Sequence, residues 1–214
     1  MFTAVFHRQV QFRSQADLTG RFESDRVTLA PGTELDLEGE VTLSPDIIFS
    51  GRCHLTGPIR VEIGSLLTNV KLGPRTIVRA YSILTGVIAG GGNLFGPFCF
   101  VRDDCVVGND CILGAHVETT RSQFGNQVKI SHRAFVGDAI IGDNVIIGAG
   151  VVFCNFDGQE RQPTRVGSGV TIGSGSLLVP PITIGDGVLI GAGSIVTKNL
   201  AEGTKLIQKR MPTL

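Results

Sequence analysis

The sequence predicts an all-β chain wound as a parallel β-helix, a coil assembled from six-residue steps. Three observations carry this reading. An aliphatic residue recurs every six positions at Val166, Ile172, Leu178, Ile184, Ile190 and Val196. The residue after it is usually glycine, as in IGDNVIIGAG at 141–150 and IGSGSL, IGDGVL and IGAGSI farther on. Glycine is also abundant, at 29 of 214 residues, against roughly 7% in ordinary chains. Without the three-residue period of collagen, that abundance reads as repeated tight turns.

A period of six is in register with neither a 3.6-residue helix nor a heptad, so no helix face is specified. It suits a short strand followed by a corner. Three steps, about 18 residues, close one triangular coil, and no step buries its aliphatic residue without stacked neighbours. The fifth position of each step is small or branched: Val170, Ser176, Ile182, Val188, Ser194. The same frame fits Phe95, Val101, Val107 and Leu113, then Phe124, Ile130 and Val136. After one five-residue step it continues through Ile141, Ile147 and Phe153, and weaker copies run through Leu35, Val41, Ile47 and Cys53. Two interruptions are expected to leave the scaffold as loops: residues 118–123, and the polar stretch NFDGQERQPTR at 155–165. Loops on a rigid scaffold are where function concentrates, although a neutral surface insertion is the plain alternative. The repeat is read over 1–197, with 198–214 as a C-terminal cap or tail.

Lys plus Arg and Asp plus Glu are both 19. A net charge of zero removes the electrostatic case for nucleic acid or an anionic membrane as partner. No apolar run reaches membrane-spanning length, which takes about 18 residues, and the start lacks the layout of a signal peptide. Five cysteines, an odd number, agree with a reducing, cytoplasmic setting. Cys99, Cys105 and Cys111 are spaced by six. That spacing suits small buried core residues better than a metal site, since no paired Cys-x-x-Cys is present.

Particular stretches carry a family resemblance: GPF at 96–98 followed by Arg102, GAHVE at 114–118, KISHRAFVGD at 129–138, IGAG at 147–150, CNFDG at 154–158 and IGAG at 190–193. Residues 96–209 resemble the C-terminal acetyltransferase domain of the bifunctional glucosamine-1-phosphate acetyltransferase / N-acetylglucosamine-1-phosphate uridyltransferase. DLTG at 17–20 looks like the start of that domain. The resemblance implies a left-handed coil, an exception to the right-handed crossover rule. It implies an acyltransferase that takes acetyl-CoA, needs no metal, and forms a homotrimer with sites between neighbours. The uridyltransferase domain has no counterpart, so uridylyl transfer is not expected.

Acyl transfer to an amine requires a base for the proton and a held, polarised thioester. The resemblance places the catalytic base on His132; a hydrogen-bonded surface histidine is the alternative reading of the same residue. His116 is the second candidate, and His7 and His54 lie outside any motif. The resemblance assigns Asn155 and Phe156 to the acetyl end of the coenzyme, and Ser174, Ala192 and Lys209 to its length. Ser174 and Ala192 are 18 apart, hence stacked on successive coils. Arg102, Thr120, Phe135, Ile146 and Arg161 fall at sugar-phosphate positions. Arg102 is retained, with a planar fork suited to phosphate. Elsewhere Thr120 stands for a lysine with Arg121 beside it, Phe135 for a tyrosine, Ile146 for an asparagine and Arg161 for a lysine. These changes point away from glucosamine-1-phosphate itself and toward another amino sugar, as a sugar phosphate or sugar nucleotide.

Two other functions fit the scaffold. A degenerate paralogue would bind ligand or serve as a scaffold without turnover. A hexapeptide-repeat carbonic anhydrase would need three histidines around zinc, two of them close in sequence, and the four here are widely spread.

Overall fold

The computed structural model describes residues 2–13 and 26–207. Lys209 and the DLTG stretch at 17–20 lie outside the described residues. The chain forms a left-handed parallel β-helix whose strands stack into three sheets. The first sheet runs through Leu94–Phe95, Ile112–Leu113, Lys129–Ile130, Ile146–Ile147, Thr171–Ile172 and Leu189–Ile190. The second runs through Phe100–Arg102, Glu118–Thr120, Phe135–Gly137, Val152–Phe153, Leu177–Leu178 and Ile195–Val196. The third runs through Cys105–Val107, Gln123–Phe124, Ala139–Ile141, Thr164–Val166 and Ile182–Ile184.

The hexad frame is the core. Phe95, Leu113, Ile130, Ile147, Ile172 and Ile190 make one inward column of fully buried side chains, and Leu35, Val41, Ile47 and Cys53 are equally buried in the early coils. Each such burial contributes roughly 1.5–3 kcal/mol relative to exposure. The corner between the third and first sheets explains the recurring Asn or Asp. Asn109 accepts the N–H of Gly91 (2.9 Å), Asn126 that of Asn109 (2.9 Å), and Asp143 that of Asn126 (2.6 Å). A corner is thereby tied to the coil below it, and backbone donors that a flat sheet leaves unpaired are satisfied.

Three features depart from the sequence reading. Residues 118–123 are not an extruded loop. Glu118–Thr120 is an in-register strand of the second sheet, and Thr119, fully buried, takes the inward position. A polar residue at an aliphatic position, followed by a five-residue step to Phe124, conceals the frame. Second, coil pairing continues past Thr197, where the sequence pattern ends. Leu200 bridges to Ile184, and Lys205–Leu206 pairs with Leu189–Ile190. The step from Val196 to Leu200 is only four residues, which breaks the pattern. Third, Phe2–Phe12 runs antiparallel to Glu34–Leu43 and closes the lower end of the stack, burying Phe6 and Phe12 over the core. Covering that edge also removes a site for unwanted strand pairing.

Candidate functional site

The short steps and the long insertion all fall at one corner, between the second and third sheets. Thr119 to Phe124 and Val136 to Ile141 are five-residue steps there, and the insertion between Phe153 and Val166 leaves from the next coil up. Shortened corners beneath a projecting arm leave a depression of about 280 Å³, lined by Arg102, Thr120, Arg121, Phe135, Asn155, Phe156 and Arg161. The arm is a small hairpin. Phe156 pairs antiparallel with Arg161, and Asp157 caps its tip by accepting the N–H groups of Gln159 (2.9 Å) and Glu160 (2.8 Å).

Charge runs up this corner in alternation. Arg102 donates to Glu118 (2.9 Å) and to Asp103, and its guanidinium lies 5.3 Å over the Phe100 ring. Arg121 donates through Nε and Nη2 to both oxygens of Asp138 (2.7 and 3.0 Å) and through Nη1 to Asp103 (3.4 Å). Thr120 is buried and donates to the same Asp103 oxygen (2.8 Å). The Thr120 hydroxyl and Arg102 hold Asp103 below the usual carboxylate range despite some desolvation. Burial raises the Asp138 carboxyl, but hydrogen bonds from Arg121 and Asn155 outweigh it and the net shift is downward.

The second sheet's other edge carries a different column. His132, Ala149, Ser174 and Ala192 follow one another on successive coils of the first-to-second corner. Gly150 N–H donates to the His132 carbonyl, Gly175 to Ala149 and Gly193 to Ser174, each at 2.8 Å. All but Ala149 are exposed, and the His132 ring has no partner among the described residues. His116, one coil below, is committed elsewhere. It stacks on Phe98 at 5.1 Å, and Phe98 stacks on Tyr81 at 5.5 Å. Strand Phe135–Gly137 connects the two corners, so His132 and the depression flank the same narrow sheet.

Residues 163–198 match the family described as bacterial transferase hexapeptide (six repeats), and residues 138–153 the hexapeptide repeat of succinyl-transferase. The chain is 37% identical over 182 residues to the bifunctional protein GlmU of Acinetobacter baumannii (strain AYE), covering 82% of this chain and 40% of that protein. It is 39% identical over 175 residues to GlmU of Stenotrophomonas maltophilia (strain K279a), covering 79% and 38%. The match falls on their C-terminal hexapeptide-repeat domain. This chain carries the hexapeptide repeat of these families and is similar to the C-terminal domain of these relatives. It spans about two fifths of the length of these curated relatives. Among solved structures, LpxA from Acinetobacter baumannii shares the fold, with a TM-score of 0.61 at 15% identity over 77% of this chain and 67% of that one.

Within this hexapeptide-repeat chain, the expected site residues fall into three groups. Arg102, Thr120, Phe135, Asn155, Phe156 and Arg161 share the depression. His132, Ser174 and Ala192 share the corner column. Ile146 lies apart on the first sheet, beside a larger depression of about 440 Å³ with Asp110, Gln127, Lys129 and Asn144. Cys99, Cys105 and Cys111 are buried core residues; burial pushes the Cys99 thiol up to about 12 and raises the other two.

Sequence reasoning assigns no role to Asp103, Gly137 or Asp138. Asp138 also accepts the side-chain amide of Asn155, so it fixes which way that amide points. A Cβ at Gly137 would stand 2.5 Å from Asn155 Nδ2 and 2.9 Å from Phe135 Cζ, so glycine leaves room for both. The signal is present in the coil period: Arg121, Asp138 and Asn155 are 17 residues apart in turn. Because the folded Asp138 carboxyl titrates below its unfolded value, its anchoring is fully present above about pH 4. It is lost as pH falls through the lowered folded value. Asp138→Asn is therefore expected to lose about 2 kcal/mol at neutral pH and to show a shallower acid limb in thermal unfolding. Superimposable acid limbs for the two proteins would remove Asp138 from this role.

Proposed function

We propose that this chain transfers the acetyl group of acetyl-CoA to the amine of an amino sugar, with His132 as general base, at a site completed between copies of a homotrimer. The supporting observation is how the expected residues are distributed around one sheet. The base and the small-residue column line one edge of the second sheet, and the polar depression lies on the other. Along the outside of that sheet, Leu66, Ile83, Phe100, Phe135, Val152, Leu177 and Ile195 follow in register, interrupted only by Glu118. Strands step about 4.8 Å, so this is a tall apolar ridge on the exterior. Solitary exposed apolar residues are ordinary, but a continuous ridge calls for a cover. A neighbouring copy laid on it would enclose His132 and bring its own first sheet, with Ile146, toward the depression.

The exposed Ser174 and Ala192 beside His132 leave a strip along the stack that fits a long, thin ligand. Acetyl-CoA supplies the acyl group as a thioester. The His132 ring, free of other partners, takes the proton as the amine attacks, and coenzyme A leaves as the thiol. Asn155, oriented by Asp138, holds the acyl end.

The test is release of coenzyme A thiol from acetyl-CoA against glucosamine, glucosamine-1-phosphate and a nucleoside-diphosphate-linked amino sugar, with light scattering for mass. Acetylation of at least one acceptor by a trimer is expected. Coenzyme A binding without turnover on any amine would favour a binding protein, and full activity in a monomer would refute the shared site.

A further inference from the structure

We infer that the acceptor seated in the 280 Å³ depression is an unphosphorylated amino sugar, recognised through its hydroxyl and amine donors. This rests on the acyltransferase reading above and narrows it.

The charge of the depression disfavours a phosphate. Three arginines line it, Arg102, Arg121 and Arg161, and on their own they describe a phosphate site. Yet both terminal nitrogens of the Arg102 fork are already engaged. One fork nitrogen is taken by Glu118, the other by Asp103 and Thr120, and its face lies over Phe100. Arg121 has both its inner donors on Asp138. Three carboxylates thus stand among three guanidiniums, and only Arg161 forms no ion pair among the described residues. A phosphate dianion brought to Arg102 would approach Asp103 and Glu118 at similar range, and one brought to Arg121 would approach Asp103 and Asp138. Attraction and repulsion scale alike with distance, so the two largely cancel.

The same arrangement favours donors. Asp103 receives its hydrogen bonds on Oδ2 and Glu118 on Oε1. Asp103 Oδ1 and Glu118 Oε2 accept nothing among the described residues, and both side chains are partly exposed. Free carboxylate oxygens accept only from O–H and N–H groups, which a sugar bearing no phosphate presents in abundance. Phe135 and the exposed Phe156 supply apolar faces against which a sugar ring packs.

Asp103 joins both paired arginines, so Asp103→Asn is the decisive variant. Asp103 adopts φ 55°, a conformation asparagine accepts readily, so the corner keeps its shape. Asp104, next in sequence and also at positive φ, pairs with neither arginine. Asp104→Asn therefore removes the same charge without releasing the forks. Wild-type protein is expected to acetylate glucosamine with kcat/KM at least about tenfold above glucosamine-1-phosphate. Asp103→Asn should raise the phosphate-bearing acceptor by about the same factor, and Asp104→Asn should not. A wild-type preference for the phosphorylated or nucleotide-linked acceptor, or equal gains in the two variants, overturns the inference. If no acceptor is acetylated, the acyltransferase reading fails separately. Titration with inorganic phosphate, followed by NMR, then still decides the charge argument. Binding should be gained in Asp103→Asn, and wild-type binding as tight as the variant's contradicts it.

Discussion

Replacing His132 with alanine is expected to lower acetyl transfer by about 10²- to 10⁴-fold, the usual range for loss of a general base, with the thermal transition unmoved. The two halves of this expectation come from the same geometry. The corner positions directly below and above His132 are Ala115 and Ala149, which make the same coil-to-coil backbone contacts. Alanine is thus already the residue that regular coils place there. The His132 ring forms no hydrogen bond or ion pair among the described residues, so truncating it breaks no structural interaction. A histidine that the scaffold does not use, next to a strip of small residues, is available for chemistry. His116→Ala is the matched control. It removes the end of the Tyr81–Phe98–His116 stack, worth about 0.5–1.5 kcal/mol per contact beyond burial, and should cost stability while sparing kcat. Steady-state kinetics of the two variants give the answer. Loss of kcat in His116→Ala and not in His132→Ala would transfer the role of base from one to the other.

The inward columns are legible in the sequence because burial there depends on one property, aliphatic character, repeated at a fixed interval. Legibility ends where a position answers to something other than that repeat. Thr119 is inward yet polar, so the second sheet's strand at Glu118–Thr120 reads as a loop. Leu200 and Leu206 are six apart, but the four-residue step before them hides the last coil rungs. At the site, residue identity is readable and residue engagement is not. Arg102 alone resembles a phosphate fork; only the fold shows that Asp103 and Glu118 already fill it. Asp138 ends the KISHRAFVGD stretch, and its significance comes from the coil period that lays it between Arg121 and Asn155. The glycines are more instructive still. Their abundance reads as turn formation, but many that follow the aliphatic position, Gly108, Gly114, Gly125 and Gly142 among them, do not adopt positive φ. The left-handed corners are often held by other residues, such as Asp110, Gln127 and Asn144.

What demands glycine at those positions is the coil above, and this gives the second large effect. A Cβ built on Gly114 would stand 1.9 Å from the carbonyl oxygen of Ser131 and 3.0 Å from that of Ile130. Both are backbone atoms of the next coil, which is tied into the stack by Gly114 N–H on the Ile130 carbonyl and Ser131 N–H on the Ile147 carbonyl, so no side chain can swing aside to relieve the overlap. Gly114→Ala must push two coils apart, at the upper end of what overpacking costs, about 3 kcal/mol. In a chain of this size that lowers the melting temperature by roughly 6–12 °C. Gly193 is the comparison. It has φ 72°, and a methyl group added there would meet nothing within 4 Å, so Gly193→Ala incurs only the left-handed backbone penalty of about 1–2 kcal/mol. If glycine served these corners as a turn residue, Gly193→Ala would be the more damaging change. Contact between coils predicts the reverse order. Gly114→Ala should also depress acetyl transfer, because Ser131 directly precedes His132 and its carbonyl is the atom displaced. Thermal unfolding of the two variants, with activity measured well below both transitions, separates the explanations. A smaller loss for Gly114→Ala than for Gly193→Ala would mean that coil spacing is not what selects glycine after the aliphatic residue.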